Sequence, residues 1–314
     1  MTRRVRRIIA GIGFGLLVIV GFMLYSDVQQ LADSLATFDT ATLTPVLAII
    51  LGGYVLRAIK WEIYLRQLGI FVGWKESLWI FCSGLVMAIS PMKVGEVLKS
   101  FLLRRNHGIS IAKTAPVIVA ERLTDVIALV LLASIGVVTT GLGGPVVLAA
   151  SMMSIGLVAL LASPRLSRRL LAFLGRLPLL RRVSHRLEEA YESMLQLVGT
   201  KTMCLTVALS VLAWGGEGIA CWWIINGFEN VNASLGEVVF IFTFSTLAGA
   251  LSMLPGGLLA TEGSMIGLLT VVFRVIPSHT TATAATLLTR FCTLWFAVVL
   301  GAAAFVTYHR MRRA

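Results

Sequence analysis

The feature that most constrains this chain is a series of long apolar runs with few charged residues. They occupy residues 8–25, 43–59, 113–139, 145–162, 203–225 and 281–307. An apolar helix needs about 20 residues to cross the hydrocarbon core of a bilayer. Only 13% of the 314 residues are charged, whereas soluble domains carry about 25%. The sequence therefore predicts an all-α polytopic integral membrane protein, with one membrane domain over residues 1–314 and about six full transmembrane helices.

Basic residues are distributed unevenly among the connecting segments. Four arginines precede the first run, the loop 26–44 contains three aspartates and no basic residue, and cations return in residues 60–76. The positive-inside rule places cation-rich loops in the cytoplasm. The run 8–25 is followed by no clear signal-peptidase site, so we expect an uncleaved first span. We predict a multi-pass membrane protein with both termini in the cytoplasm.

The segment 163–201 is the most basic part of the chain. It carries eight lysines and arginines, and its leucines alternate with arginines at helical spacing in SRRLLAFLGRLPLLRR. Such a segment favours a cytoplasmic amphipathic loop that lies on the anionic inner leaflet. A solvated basic linker is the alternative.

Residues 77–90 form an apolar segment that is too short to cross a membrane. It enters from the cytoplasmic side, stops at Pro91, and is followed by a cluster of cations. Its 14 residues compare with the ~20 that a span needs. We therefore predict a re-entrant helical hairpin with Pro91 near its tip.

A similar pattern recurs in the second half of the chain. ALSMLPGGLLATEGSMIGLL (250–269) resembles AISPMKVGEVLKSFLL (88–103) in its proline, glycine, glutamate and following apolar half-helix. Three predicted spans separate the two copies, so the second would enter from the opposite side. This predicts an inverted repeat, about 77–139 and 237–307, of the kind that transporters use; chance similarity is the alternative. The predicted hairpin-turn residues are Pro91, Gly95, Pro255, Gly256, Gly257 and Gly263.

Several charged residues lie within the predicted spans and hairpins. They are Glu121, Arg122, Asp125, Glu217, Glu262 and Arg290. A charge at this depth is costly unless it is paired or faces a cavity. Glu121 and Asp125 share a helix face, and Arg122 lies three residues before Asp125, within pairing distance. The repeat makes Glu96 equivalent to Glu262 and Arg122 equivalent to Arg290. These residues either line a substrate path or form structural pairs, such as Glu121 with Arg290.

The cations after Pro91 have two interpretations. A half-helix that begins after Pro91 would point its positive N-terminal end, with Lys93, at an anion in the membrane. Lys99, Arg104 and Arg105 would then form a basic lip at the cytoplasmic leaflet. We therefore expect replacement of Lys99 to be milder than replacement of Arg122 or Arg290. The alternative is that all these cations anchor the hairpin at the interface.

The four cysteines and four histidines suggest no bound metal. Each cysteine falls within an apolar run, there is no CxxC pair, and the histidines complete no convincing ligand set. We expect no metal, no disulfide and no cofactor.

Five phrases together resemble a known family. They are YVLRAIKWEIYLRQLGI (54–70), SPMKVGEVLKSFLLRR (90–105), VIVAERLTDVIAL (117–129), LPGGLLATEG (254–263) and LLTR (287–290). The chain is similar over most of residues 45–305 to the flippase-like family of lysylphosphatidylglycerol synthase transmembrane regions. The resemblance implies lipid translocation and a location in the bacterial cytoplasmic (inner) membrane. The implicated residues are Arg57, Lys60, Trp61, Pro91, Gly95, Glu96, Lys99, Glu121, Arg122, Asp125, Pro255, Gly256, Gly257, Glu262, Gly263 and Arg290.

The chain departs from this family in two respects. Met92-Lys93 stands where many relatives have Gly-Arg, and Lys99 where arginine is common, so a cation is kept without arginine's bidentate geometry. No soluble aminoacyl-transferase domain follows before Ala314. Synthase activity is therefore not expected.

The sequence thus favours a transporter-class protein over an enzyme. The predicted function is a flippase that moves an anionic lipid, either a phospholipid or a polyprenyl-phosphate-linked lipid, between leaflets. The alternatives are an accessory or scaffold protein that assists cell-envelope lipid-synthesis enzymes, and an intramembrane enzyme, for which no catalytic signature is recognisable. No nucleic-acid partner is expected. The candidate lipid-binding or translocation residues are Arg57, Lys60, Lys93, Glu96, Lys99, Glu121, Arg122, Asp125, Glu262 and Arg290.

Overall fold

The computed structural model describes residues 28–90, 94–140, 144–145, 148, 151–153, 155–156 and 184–312. Every element in these ranges is helical, as the sequence predicts. Several predicted features lie outside the described residues: the first span, most of the return span 145–162, most of the basic loop 163–201, Pro91 and Lys93.

Eleven α-helices are described. The first six are α1 (Val28–Ala36), α2 (Leu43–Gln67), α3 (Trp74–Leu85), α4 (Leu98–His107), α5 (Ile111–Thr140) and α6 (Ser184–Leu197). The others are α7 (Thr200–Asn226), α8 (Leu235–Leu251), α9 (Ala260–Gly267), α10 (His279–Arg290) and α11 (Phe296–Met311). A 3₁₀ turn, Val94–Val97, precedes α4. π-helical turns, Leu268–Val272 and Phe291–Trp295, follow α9 and α10.

Three helical segments of the described chain are long and apolar enough to cross a membrane. They are Thr40–Gln67, Thr200–Asn226 and His279–Met311, with 28, 27 and 33 residues. At about 1.5 Å per residue, each exceeds the ~30 Å hydrocarbon core. The lipid-facing side chains are apolar, as shown by the exposed Val55, Leu212 and Val299. The chain is therefore a multi-pass membrane protein.

Contacts between connecting segments define two opposite ends of the helix bundle. At the first end, the Asp39 amide donates to the Gly227 carbonyl (3.0 Å), and the Thr280 hydroxyl lies 3.4 Å from Gln30 Oε1. At the second end, Tyr308 donates to Glu76 (2.6 Å). The first end is called the acidic end and the second end the basic end, after the charged residues that surround each of them.

Two pairs of short helices leave and return to the same end. In the first helix–turn–helix unit (residues 74–107), α3 starts and α4 finishes at the basic end, where His107 Nε2 lies 3.0 Å from Glu76 Oε1. In the second unit (residues 235–272), the chain returns towards the acidic end, where the Phe273 ring packs 5.7 Å from the Phe240 ring. The turn of the second unit lies inside the protein, where Leu258 is buried, and in the first unit the described residues Ala88 and Ile89, which follow α3, are buried as well.

Each unit packs against a long helix from the other half of the chain. Helix α3 lies against α11, and α8 lies against α5. Both crossings depend on a glycine, because a Cβ at Gly301 would lie 2.1 Å from the Val86 backbone nitrogen and one at Gly136 would lie 2.4 Å from Phe240 Cβ. The first unit thus packs against α11, the last described helix, and the second unit packs against α5, the helix that follows the first unit.

Candidate functional site

A cavity of about 250 Å³ lies where the two turns meet the long helices. Its wall combines apolar side chains, including Phe81, Leu129 and Phe242, with a group of charged residues. The charged residues that line it are Arg57, Lys60, Glu96, Glu121, Arg122, Asp125, Glu217 and Arg290. The cavity therefore brings together charges from α2, α5, α7, α10 and the turn before α4.

Asp125 is the centre of one charged group. Lys60 Nζ lies 2.6 Å from Asp125 Oδ1, and the Ser210 hydroxyl donates to the same oxygen at 3.0 Å. Arg122 Nη2 lies 3.1 Å from the other oxygen, Asp125 Oδ2. The i,i+3 relation in α5 that the sequence indicated therefore forms, while Lys60 and Ser210 reach Asp125 from separate helices.

Lys99 occupies a different place from the one the sequence suggested. Its Nζ lies 2.6 Å from Glu121 Oε2 and 3.3 Å from Glu96 Oε2. The same nitrogen lies over the Trp61 ring, 4.5 Å from the ring centroid. Only 1% of the residue is exposed. The prediction that Lys99 belongs to a basic lip is therefore wrong. The other two residues of that predicted lip, Arg104 and Arg105, are exposed.

Gly84 explains how the lysine enters the protein interior. A Cβ at Gly84 would lie 2.6 Å from Lys99 Cγ, so the missing side chain leaves room for the lysine stem between α3 and α4. Two carboxylates then bind the ammonium group. Because Glu121 binds Lys99, it does not form the suggested pair with Arg290.

One glutamate of each helix–turn–helix unit forms an ion pair with an arginine of a neighbouring helix. Arg122 Nη2 lies 3.6 Å from Glu96 Oε2. Arg290 Nε donates to Glu262 Oε1 at 2.6 Å, and its Nη2 donates to the Gly256 carbonyl at 2.5 Å. The positions that the sequence comparison treated as equivalent are thus occupied by two arginine–glutamate pairs. Arg290 additionally holds the turn of the second unit.

The second turn depends on its glycines. Gly256 and Gly257 have φ of 61° and 66°, where glycine is favoured, and Gly257 approaches Gly249 of α8 too closely for a larger residue. Pro255 precedes them in the turn. Gly263, in contrast, lies inside α9 with open space around it, so its prediction as a turn residue is wrong. In the first unit, the Gly95 amide donates to the Ser90 hydroxyl.

Two further cavity residues, Tyr54 and Trp214, were missed by the sequence-based site, and Glu217 was recognised as an intramembrane charge but without its partner. Glu217 Oε1 accepts a hydrogen bond from Arg57 Nη1 at 2.5 Å, and the Arg57 guanidinium stacks 4.5 Å from the Trp214 ring. Tyr54 donates to the Thr293 carbonyl at 2.7 Å, within the π-helical turn where backbone pairing is altered. An acid in the middle of AWGGEGIACWW was a signal for Glu217, but its partner lies 160 positions away.

The arginines are more exposed than the carboxylates of the network, whereas Lys60 and Lys99 are buried. The side chains of Arg122, Arg290 and Arg57 are 27%, 13% and 12% exposed, whereas the carboxylates of the same network are 2–8% exposed. Arg57 Nη2, Arg122 Nε and Glu262 Oε2 are themselves buried and have no hydrogen-bond partner among the described residues. The arrangement therefore presents guanidinium donors to whatever occupies the cavity.

Comparison with known proteins places these observations in a family. The model of the family described as "Lysylphosphatidylglycerol synthase TM region" matches residues 8–301, which include every residue of the cavity. The chain belongs to this family. The resemblance inferred from the sequence motifs is thus confirmed for the membrane region.

Two relatives from Methanothermobacter thermautotrophicus are similar to this family member over nearly their whole length. Both are described as "UPF0104 membrane protein". One is 24% identical over 325 residues, covering 91% of this chain and 89% of the relative. The other is 25% identical over 317 residues, covering 92% of each. The family model indicates a lipid-related family, and the relatives agree with it in being membrane proteins.

Proposed function

We propose that this protein is a translocase that moves an anionic lipid, a phospholipid or a polyprenyl-phosphate-linked lipid, between the leaflets of the cytoplasmic membrane. The observation that carries this proposal is the cavity in which the guanidinium groups are partly exposed and their carboxylate partners are buried. Within a membrane, the abundant anions are lipid phosphates. Guanidinium groups bind phosphate through parallel N–H donors.

The mixed lining of the cavity fits such a ligand. Arg57, Arg122 and Arg290 supply donors for a phosphate, while Phe81, Leu129 and Phe242 provide apolar wall for the part of the lipid next to the head group. Transport requires only that this site binds and releases the lipid, and no bond needs to be made or broken. We therefore assign a transport role rather than catalysis.

Alternating access through an inverted repeat is the proposed mechanism. We interpret the units 74–107 and 235–272 as re-entrant hairpins from opposite leaflets, accompanied by six full spans in total. Each unit packs against a helix from the other half of the chain, α3 on α11 and α8 on α5, and this supports a pseudo-twofold relation between the two units. The two arginine–glutamate pairs support the same relation. Irregular backbone at membrane depth is tolerated where it is buried or lines a cavity, and here both turns border the cavity.

The charge difference between the two ends supports an orientation in the membrane. Arg66, Lys75, Arg104, Arg105, Arg310 and Arg312 surround the basic end, and Asp33, Asp39, Glu229 and Glu237 the acidic end. We propose that the basic end is cytoplasmic. In a variant without the four native cysteines, a cysteine at Arg105 should react only from the cytoplasm, and cysteines at Glu229 and Ser278 only from outside. The reverse labelling would contradict the orientation, and labelling of Arg105 and Ser278 from one side would contradict the opposed hairpins.

Reconstitution provides the direct test of translocation. Proteoliposomes with a phosphatidylglycerol that carries a fluorophore on one acyl chain should expose the inner-leaflet label to a membrane-impermeant quencher, whereas protein-free vesicles should not. Arg122→Gln should slow this exchange by about tenfold or more, because a hydrogen bond to a charged group contributes about 1.5–3 kcal/mol and ~1.4 kcal/mol is a factor of ten.

Arg66→Gln is the matched control for this experiment. Arg66 also binds a glutamate, Glu62, but its side chain is 63% exposed and lies outside the cavity. We expect wild-type exchange from it. Exchange at the protein-free rate with every anionic lipid, together with a stable complex with a lipid-synthesis enzyme, would instead identify an accessory protein.

A further inference from the structure

A polar network at the basic end of the bundle joins the ends of three helices. Glu76 lies in the first turn of α3, and its Oε1 accepts a hydrogen bond from the Tyr308 hydroxyl of α11 at 2.6 Å. The same oxygen lies 3.0 Å from His107 Nε2, at the end of α4, and pairs with Arg312, which follows α11. We infer that these four residues form a latch that holds the first helix–turn–helix unit against α11 and keeps the basic end of the bundle closed.

The latch is separate from the cavity. None of its four residues is among the described residues that line the cavity. The inference goes beyond the proposed function, because it concerns a movement of the helix bundle and requires no particular ligand.

Tyr308 connects the latch to α4 by a second route. The Asn106 side-chain amide donates to the Tyr308 hydroxyl at 2.5 Å, and this hydroxyl donates its own proton to Glu76. One phenol of α11 is thus hydrogen-bonded to both helices of the first unit. Removal of the hydroxyl should therefore weaken the latch without changing any charge.

The latch is accessible to water, unlike the buried ion pairs beside the cavity. The side chains of Glu76, His107 and Arg312 are 24%, 28% and 45% exposed, whereas those of Lys99 and Glu121 are 2% exposed. Separating a buried pair leaves uncompensated charge in a low-dielectric interior. The groups of the latch become hydrated when they separate, and exposed ion pairs are individually weak. The latch can therefore open and close without unfolding the protein.

Helix α11 is built to pivot when the latch opens. Gly301 packs directly against the backbone of Val86 at the end of α3, and a larger residue would not fit there. Tyr308 lies seven residues beyond this crossing, which is about 10 Å along the helix. The π-helical turn Phe291–Trp295 separates α11 from α10, and long helices bend at such turns. Release of the latch would therefore let the end of α11 swing away from the start of α3.

This movement would reach the cavity wall. Ala297, in the first turn of α11, lines the cavity, and so does Leu85 at the end of α3. Both lie close to the Gly301 crossing in sequence. A rotation of α11 about this crossing changes the wall that α3 and α11 form together. The latch thus couples separation of the helices at the basic end to the shape of the cavity.

Distances between spin labels test the latch. In a variant without the four native cysteines, nitroxide labels are attached to cysteines at Arg105 of α4 and Arg310 of α11, two exposed positions outside the latch. Electron–electron double resonance on the purified protein in lipid nanodiscs should give mainly one short distance. Glu76→Gln should raise the ratio of a longer distance to the short one by about fivefold or more, because the charge pairs are lost. Tyr308→Phe should raise this ratio several-fold.

Glu189→Gln is the matched control. Glu189 is another glutamate near the basic end, where it accepts a hydrogen bond from the Ser110 hydroxyl at 3.0 Å, and it is not part of the latch. We expect wild-type distances from this variant. Folded Glu76→Gln and Tyr308→Phe proteins with wild-type distances would overturn the inference. Partial unfolding would broaden the distribution and lower the unfolding temperature instead of adding a second distinct distance.

Ionic strength provides a second readout on the same labelled proteins. Raising the salt concentration from about 0.1 to 1 M shortens the Debye length from about 10 to 3 Å. The fraction with the longer distance should rise in the wild-type protein and stay constant in Glu76→Gln, which has no charge pair left in the latch. An equal salt response in both proteins would contradict the role of Glu76. Because the measurement does not depend on lipid exchange, failure of the latch and failure of the proposed function are distinguishable.

Discussion

Lys99→Gln is expected to destabilise the folded protein by about 3–5 kcal/mol, the usual cost of breaking a buried ion pair by removing one partner. The ammonium group binds both Glu96 and Glu121 at 3.3 and 2.6 Å, and Glu121 is 1% exposed. The glutamine amide can replace one hydrogen bond but not the charge. Thermal unfolding in detergent, followed by intrinsic fluorescence, should show a large decrease in the unfolding temperature.

The matched control is Lys75→Gln. Lys75 is an exposed lysine in the same helix–turn–helix unit, and surface substitutions of this kind change stability by about 0.5 kcal/mol or less. A Lys99→Gln, Glu121→Gln double variant should recover part of the lost stability, because it removes the uncompensated carboxylate along with the lysine. If Lys99→Gln were as stable as Lys75→Gln, the buried position of Lys99 would be contradicted and the basic lip would be restored.

The all-α class was readable from the sequence because a membrane helix satisfies its backbone internally and must be apolar along its length. Contacts between residues of one helix can also be predicted from the sequence. Arg122 and Asp125 are three residues apart, and this spacing alone places them on one face of α5. Their contact in the structure is a consequence of local geometry.

Pairs between helices could not be derived in this way. Arg57 and Glu217 are 160 positions apart, and the sequence around each residue does not indicate that the other is its ion-pair partner. Lys99 shows the same limitation, because it follows Pro91 among several cations and cation density near an apolar segment indicates an interface. The deciding residue was Gly84, on the preceding helix, whose missing side chain admits the lysine stem.

Arg290→Gln is expected to abolish lipid exchange more completely than the other arginine substitutions. Arg290 holds Glu262 through Nε and the Gly256 carbonyl through Nη2, and it lines the cavity. The substitution therefore removes one guanidinium of the proposed phosphate site and releases the turn of the second unit. Because two charge-assisted hydrogen bonds are lost, at about 1.5–3 kcal/mol each, exchange in proteoliposomes should fall by about a hundredfold or more.

Arg290→Lys separates the two roles of this side chain. Lysine keeps the charge but is a single ammonium point and cannot reach Glu262 and the Gly256 carbonyl with the fixed geometry of a guanidinium. We expect Arg290→Lys in detergent to retain binding of fluorescent phosphatidylglycerol, while exchange between leaflets in proteoliposomes stays slow. Wild-type exchange in Arg290→Lys would show that the positive charge alone is sufficient and that the Gly256 contact has no part in transport.

A double variant distinguishes loss of function from loss of folding. In Arg290→Gln, Glu262 is left with 2% of its side chain exposed and without its counter-ion, so the protein is also less stable. Adding Glu262→Gln removes the unpaired charge and should raise the unfolding temperature towards the wild-type value. Lipid exchange should remain lost, because the guanidinium that faces the cavity is still absent. Recovery of exchange together with stability would instead mean that Arg290 serves only to neutralise Glu262.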